Sequence, residues 1–540
     1  MHQRLMIGML VYAGIIALLV IRILWLAVFG DHAGRQQSVT QLVPARGDIV
    51  DREGHALARS IDAWSIALHP GKVIGNKLDL ARALARIMPE RDEATYYAML
   101  KSNKTFFYLR RRAAPDVVEA INALGEPGIG LDREPDRLYP QTSLAAHVLG
   151  YTDVDGHGVA GIEKFYDGQL SDPARRGDPV TLSISSRVQQ ALEHELLDAM
   201  NRFSAIGAAG VIMDIHTGEV LAMTSLPQLN PNIAGKGSPE ARFNRATLGV
   251  YELGSTFKAF TVAMGLDSGV VKSVGQMYPC PGQLHVSGRS IGDTHPFNRA
   301  CSVAEIMQES SNVGTAQIAD QVGAARQKEF LKKLGFLDRL QIELPERART
   351  LSPRDWSRTD VMTVGFGHSI AITPLHLATG YAALMNGGVY RPATLLKVDR
   401  KHPPGKGHRV FSEETSYKMR SLLRLVVTKG TGSKADAPGY RVGGKTGTAD
   451  KAVGGGYSGT RVITNFAGVF PVEEPRYVMV VMLDEPQATA ESFGFRYAGW
   501  NVAPVVSKTI SRIAPMLGVR PDKKRDANMA EVLPYIREKE

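Results

Sequence analysis

Tyr251-Glu252-Leu253-Gly254-Ser255-Thr256-Phe257-Lys258 is the stretch around which the rest of the chain is ordered. Gly254 interrupts what precedes it. An apolar, helix-compatible run from Thr256 to Leu266 follows and stops near Asp267-Ser268-Gly269. This pattern predicts Ser255 at the first turn of a helix, with Lys258 three residues on and on the same face. The free N–H groups of a helix start favour negative charge. A serine there beside a lysine can supply a nucleophile, its base and half of an oxyanion site. The bland alternative is a surface N-cap serine with a solvated lysine, and Ser-x-x-Lys also arises by chance in a chain this long.

Two stretches further along decide between these readings. Glu309-Ser310-Ser311-Asn312-Val313-Gly314 joins two helix-like runs, so a hydroxyl at Ser310 and an amide at Asn312 can face one cleft. Alone it would read as a serine-rich helix cap. Val442-Gly443-Gly444-Lys445-Thr446-Gly447-Thr448-Ala449 reads as an edge strand whose glycines let a backbone approach a ligand. Lys445 and Gly447 alternate in face with Thr446 and Thr448. Gly439 to Thr446 also nearly matches a phosphate-binding loop. That motif needs a buried strand before it and a helix after it. Here Ala437-Pro438 precedes and the turn-forming Val453-Gly454-Gly455-Gly456 follows, so the nucleotide reading is set aside.

In order, Ser255-x-x-Lys258, Ser310-x-Asn312 and Lys445-Thr446-Gly447 form the motif set of penicillin-binding proteins and class A β-lactamases. On these residues the chain resembles the class B (monofunctional) penicillin-binding proteins, most closely the division-specific FtsI type. Asn244-Arg245, Gly365-Phe366-Gly367, Asn386-Gly387-Gly388 and Gly430-Thr431-Gly432 look like the family's transpeptidase module. Arg46-Gly47, Asp51-Arg52, Gly54, Arg137-Leu138-Tyr139-Pro140 and Gly161-Ile162-Glu163 look like its non-catalytic amino-terminal module. One departure is Leu253, where the family usually has proline; its loss bears on loop rigidity rather than on the chemistry.

The resemblance implies an α+β chain in four parts. These are a head and transmembrane anchor (1–35), an elongated mixed α/β non-catalytic, dimerisation-like module (36–180), a transpeptidase domain (181–518) and a flexible tail (519–540). The transpeptidase fold is expected as a five-stranded antiparallel sheet flanked by helices. Ala208 to Ile215 and Glu219 to Ser225 read directly as a hairpin turning at His216-Thr217-Gly218. Phe466 to Phe470, Tyr477 to Leu483 and a helix from about Val502 to Met516 fit the carboxy-terminal strands and helix. Ser186 can cap a helix running from Arg187.

The implied activity is acyl transfer on D-alanyl-D-alanine stem peptides. Ser255 is the nucleophile and Lys258 its base, with a pKa lowered by burial and by Lys445. Ser310 relays a proton. Asn312, Thr446, Gly447 and Thr448 bind substrate, and the N–H groups of Ser255 and Thr448 form the oxyanion hole. No metal or organic cofactor is needed. β-Lactams are expected to acylate Ser255. A membrane-embedded SEDS-type glycan polymerase and other division proteins are the implied partners.

Outward from this core, Met6 to Ile21 carries no charge, Arg22 interrupts, and Ile23 to Gly30 resumes the apolar run. The span is long enough to cross a bilayer. It lacks the small-x-small site of a cleaved signal peptide, so it reads as an uncleaved anchor. Arg22, about 12 Å from its outer end, either snorkels or meets another membrane helix. The body is placed in the periplasm, on a single pass through the inner membrane, because of its chemistry. Pro44 to Ala58 reads as a strand, a turn at Arg52-Glu53-Gly54 and a second short strand, with its arginines and aspartates as an ion-paired corner. His147 and His157 lack further ligands at metal spacing and read as structural.

Composition is consistent with this. Hydrophobic residues make up 44% and charged residues 22% of the 540, ordinary for globular domains. The net charge of +10 suits an anionic polymer or membrane surface, and no nucleic-acid motif accompanies it. The two cysteines, Cys280 and Cys301, exclude paired-cysteine metal sites by count and leave a disulfide open. Three rivals stand beside the septal transpeptidase: an elongation-specific class B enzyme, a β-lactamase, and a β-lactam-binding receptor or scaffold with little turnover.

Overall fold

The computed structural model describes residues 45–399, 402–453 and 456–537, with isolated positions 14, 16–18 and 20. The anchor expected over residues 6–30 lies, but for those positions, outside the described residues. Among the described residues no helix is long and apolar enough to cross a membrane.

The chain divides into two compact units. Among the described residues one comprises 62–136, and the other comprises 46–61 and 137–537. In the first, helices Lys77–Ile87, Glu93–Lys101 and Pro115–Asn122 accompany strand Phe107–Ala113. That strand pairs antiparallel with the end of Ala56–Leu68, from Trp64 opposite Ala113 to Leu68 opposite Phe107. Ile66, Leu68, Leu80, Leu84, Tyr96, Leu100, Leu109 and Ile121 form its core. Asn76 and Asp92 cap the first two helices.

The second unit is built on the expected five-stranded antiparallel sheet. Its strands are β1 (Gly207–Asp214), β2 (Val220–Leu226), β3 (Gly443–Val453), β4 (Gly456–Phe470) and β5 (Tyr477–Asp484). They lie in the order β3-β4-β5-β1-β2, with every pairing antiparallel. Strands β1, β2 and β5 are apolar almost throughout because both faces of the sheet are covered. Ala209, Val211 and Met213 of β1, with Val478, Val480 and Met482 of β5, face one core. Ala208 and Ile212, with Met479, Val481 and Leu483, face the other. That second core is closed by helix α1 (Ser186–Arg202) and by the carboxy-terminal helix Ala503–Ile513. The period-2 alternation of a strand therefore feeds two cores at once.

Helix α2 (Lys258–Asp267) lies in the first core and is buried from Lys258 to Gly265, which explains a composition that is apolar all round. Phe257, Phe260, Phe336 and Tyr381 pack about it with ring centroids 5.1–5.6 Å apart. The Tyr381 hydroxyl donates to Thr256 O at 2.9 Å. Helices α3 (Val303–Glu309), α4 (Asn312–Lys333) and α5 (Glu413–Lys429) complete the side of the unit that carries the site.

Several local expectations change. Ser185, not Ser186, stands at the N-cap position of helix α1 and makes no side-chain capping bond, and Ser186 instead donates to Asp51 Oδ2 at 2.6 Å. The second strand of the Pro44–Ala58 region is not short but runs Ala56–Leu68. The ion-paired corner does not close on its own aspartates alone. Arg46 and Arg137 flank the fully buried Glu163, and Arg46 also reaches Asp167 at 2.7 Å. A charge so deep needs partners on both oxygens, and only distant chain supplies them. Residues 519–537, within the stretch expected as a flexible tail, are held in place: Val532 is fully buried, and Asp526 pairs with Arg424.

Candidate active site

Ser255 lies on a 3₁₀ turn, Gly254–Phe257, and α2 begins at Lys258. The turn is pinned by close backbone packing. Gly254 has φ +57, and a Cβ there would lie 2.9 Å from Thr448 O. Gly367, with φ +84, would place a Cβ 2.1 Å from Gly254 O. No other residue type fits these two positions. The Asn465 side-chain amide of β4 donates a hydrogen bond to Leu253 O at 2.9 Å. The approach to Ser255 is thus held by β3, β4 and the Gly365-Phe366-Gly367 stretch, without a proline at position 253.

The three motifs converge. Lys258 Nζ donates to Ser310 Oγ at 3.1 Å and to Ser310 O. Lys445 Nζ donates to Ser310 Oγ at 2.9 Å and to Thr446 O at 3.1 Å. Ser310 Oγ is therefore a bridge between two lysines, each fully buried. It occupies this point because Ser310 ends α3 in the left-handed conformation, φ 65 and ψ 44. Among the described residues, Ser255 Oγ has no hydrogen-bond partner; Lys258 is engaged with Ser310 rather than with Ser255.

Burial pushes the Lys258 ammonium far below the usual lysine range; Lys445 adds to this and Asp293 opposes it. Burial pushes Lys445 down to about 7, with Glu309 opposing. For both lysines burial is the largest cause of the lowered pKa, and for Lys258 the neighbouring Lys445 charge adds to it.

The remaining motif residues border the same place. Asn312 begins α4 and donates its side-chain amide to Gly292 O at 2.9 Å. Thr446 and Thr431 share a hydroxyl–hydroxyl bond of 2.7 Å. Thr448 Oγ1 accepts from Ala498 N at 3.1 Å. Gly447 lies opposite Asn465 in the β3–β4 register. Strand β3 is an edge of the sheet, so its other side is free of strand partners and meets the Ser255 turn.

Motif reasoning missed four residues. Asp293 accepts from Asn312 N, from Val313 N at 3.1 Å and from Ser311 Oγ at 2.6 Å, so it caps the helix that starts at the second motif. Thr431 and Asn465 act as described above. Glu252 accepts from Ser369 N at 2.9 Å and from the Tyr457 hydroxyl at 3.2 Å, joining three segments beside Ser255. Thr431 and Glu252 lie within the motif stretches; Asp293 and Asn465 come from long-range contacts that no spacing announces. His147 donates its Nε2–H to Ala241 O at 2.7 Å, and burial pushes its imidazole down to about 4, as suits a structural histidine. Among the described residues Asp51, Glu53 and His55 bring three ligand atoms together. The Asp51 carboxylate, however, is occupied by Glu53 N, His55 N and Ser186 Oγ and reads as a turn clamp. Cys280 and Cys301 form a disulfide across paired strands, Cα atoms 5.9 Å apart, and Cys280 packs beside Gly314 of α4.

Known proteins resemble this chain over most of its length. The family model for the penicillin binding protein transpeptidase domain matches residues 208–510, and that for the penicillin-binding protein dimerisation domain matches residues 41–172. The chain is 40% identical to a probable peptidoglycan D,D-transpeptidase FtsI of Caulobacter vibrioides, over 92% of this chain and 85% of that protein. It is 31% identical to the peptidoglycan D,D-transpeptidase FtsI of Escherichia coli K12, over 94% and 90%. Among solved structures, penicillin binding protein 3 of Mycobacterium tuberculosis in complex with aztreonam superimposes with a TM-score of 0.70 at 26% identity, covering 88% of this chain and 97% of that one.

Proposed function

The chain belongs to the class B penicillin-binding proteins, and from that premise we propose that it is the septal peptidoglycan D,D-transpeptidase, cross-linking stem peptides through a serine acyl-enzyme during division. The observation that carries the reading is the Ser310 hydroxyl bridging two buried lysines beside the Ser255 turn.

In the first step Ser255 Oγ attacks the carbonyl of the penultimate D-alanine. Lys258, neutral, takes the hydroxyl proton. The C–N bond to the terminal D-alanine breaks, and a proton passed through Ser310 leaves with its amine. In the second step the amine of a neighbouring stem peptide attacks the ester, gives up a proton along the same path, and Ser255 is regenerated. A lysine must be neutral to accept a proton, and burial and the second lysine both lower the Lys258 pKa in that direction. The N–H groups of Ser255 and Thr448 would hold the oxyanion, since β3 lies against the Ser255 turn. Thr446 and Thr448 hydroxyls, with Gly447 keeping the strand surface low, would hold the terminal carboxylate. Asn312 would hold the donor peptide amide. β-Lactams would enter as mimics of the donor and acylate Ser255.

The uncharged run in residues 6–21 and its continuation to Gly30 support a single membrane pass. A disulfide suits an oxidising compartment and supports a periplasmic body. The four-part division of the chain and a SEDS-type polymerase partner follow from the family alone. A fluorescent penicillin should label the wild type and leave Ser255→Ala unlabelled. Equal labelling of the mutant would remove Ser255 as nucleophile.

A further inference from the structure

Residues 519–537 leave the carboxy-terminal helix and run along two of the elements that carry the site. At one end, Pro521 packs on Gly439 (φ +90), where a Cβ would lie 3.1 Å away. Asp522 N donates to Gly439 O at 2.8 Å. Arg441 donates to Lys523 O at 2.6 Å and to Arg525 O at 3.1 Å. Beneath these contacts is Arg424 of α5, only 2% exposed. Its Nε and Nη2 reach the Asp526 carboxylate at 2.8 and 3.0 Å. Its Nη1 and Nη2 reach Asp436 at 2.7 and 3.2 Å, and Nη1 also reaches Val442 O at 2.9 Å. A guanidinium has five N–H donors, and here every one is used. The last acceptor, Val442 O, immediately precedes β3 and is three residues from Lys445.

At the other end, Val532 is fully buried in the first core, with Ala527, Met529 and Ile536 packed against it. Tyr535 covers Gly275, and its carbonyl accepts from Ser302 Oγ at 2.6 Å. Arg537 N donates to Glu305 at 3.3 Å. Ser302 and Glu305 are the capping box of α3, the helix that ends at Ser310. One segment therefore grips the entry to the Lys445 strand and the start of the Ser310 helix.

We propose that residues 519–537 are a positioning strap, with Asp526 as its main anchor, that holds β3 and α3 at the separation at which Ser310 Oγ meets both lysines. The inference rests on the transpeptidase reading of the site. No strap residue touches the reacting atoms. Its effect passes through the Lys445–Ser310–Lys258 contacts, which are short enough that a shift of about 1 Å costs up to a hundredfold in rate.

The test uses the full chain, with Asp526→Ala, Asp526→Asn and Asp526→Glu. Acylation by a fluorescent penicillin is timed across pH, and melting temperature and final labelled fraction are recorded. Lys258 is the group whose titration is read; it faces Lys445 from β3, Asp293 ahead of α3 and His368 after Gly367, while Glu309 acts on Lys445. If β3 drifts from α3, Lys445 presses less on Lys258, whose pKa then rises. Asp526→Ala should reach full labelling, about ten- to a hundredfold more slowly, with the acid limb of the rate displaced to higher pH. Asp526→Glu should recover most of the rate. If the alanine variant does not fold, Asp526→Asn, which keeps the size and loses the charge, is read in the same way. A lower melting temperature with unchanged rate and unchanged pH profile overturns the strap and leaves the transpeptidase standing. Failure of the wild type to label at Ser255 sinks both.

Discussion

At the residue scale the site turns on two lysines that a solvated protein surface would keep charged. Their helix and strand are buried for packing reasons, and burial is also the larger cause of their lowered pKa values. Lys258→Ala should slow penicillin acylation by about 10²- to 10⁴-fold, the usual worth of a positioned base, while leaving the protein folded; stopped-flow labelling measures it. Asp293→Asn tests the electrostatics with a definite sign. The Asp293 charge raises the Lys258 pKa, so removing it lowers that pKa further. The base is active when neutral. The acid limb of the acylation rate should therefore move to lower pH, by less than about one unit. A shift to higher pH would contradict the assignment of Lys258 as base. The maximum rate should fall modestly, because Ser311 loses its carboxylate partner.

At the element scale the active site is a junction of a 3₁₀ turn, a helix end and an edge strand, and glycine makes the junction possible. Gly367→Ala forces a Cβ onto Gly254 O and strains a left-handed position as well. It should destabilise by roughly 1–3 kcal/mol and slow acylation more than a comparable substitution on the far face of α1. Paired chemical unfolding and labelling would measure both. Much of this junction is legible in the sequence. Short-range signals carry it: Ser-x-x-Lys spacing, glycines flanking Lys445, and the apolar run from Ala208 to Ile215 that becomes β1. What the sequence hides is long-range. Asp293 and Glu252 are ordinary acids until folding brings Ser311 and Tyr457 against them. Arg46 looks like a partner for nearby aspartates until Glu163 arrives from 117 residues away. The tail from Pro521 has the composition of a flexible terminus, and only long-range contacts such as Asp526 with Arg424 and Tyr535 with Ser302 hold it. Leu253 raises a question about rigidity, and Asn465 and Gly367 answer it through contacts that proline would not need.

At the scale of the whole molecule, one sheet separates two cores, and the chemistry lies at its β3 edge, next to the larger core. The disulfide closes a loop with a sequence separation of 21 against α4, the helix that begins at Asn312. Cys280→Ser with Cys301→Ser should cost about 3 kcal/mol by loop-closure entropy, read as a lower urea midpoint, and should slow labelling only as far as α4 shifts. The account as a whole depends on Ser255 being the atom that opens a β-lactam. The most direct measurement is intact mass of the full chain after exposure to benzylpenicillin, followed by peptide mapping. One penicilloyl group per chain, on the peptide containing Ser255 and absent from Ser255→Ala, is the expected result. An unmodified mass, or an adduct on any other peptide, would contradict it.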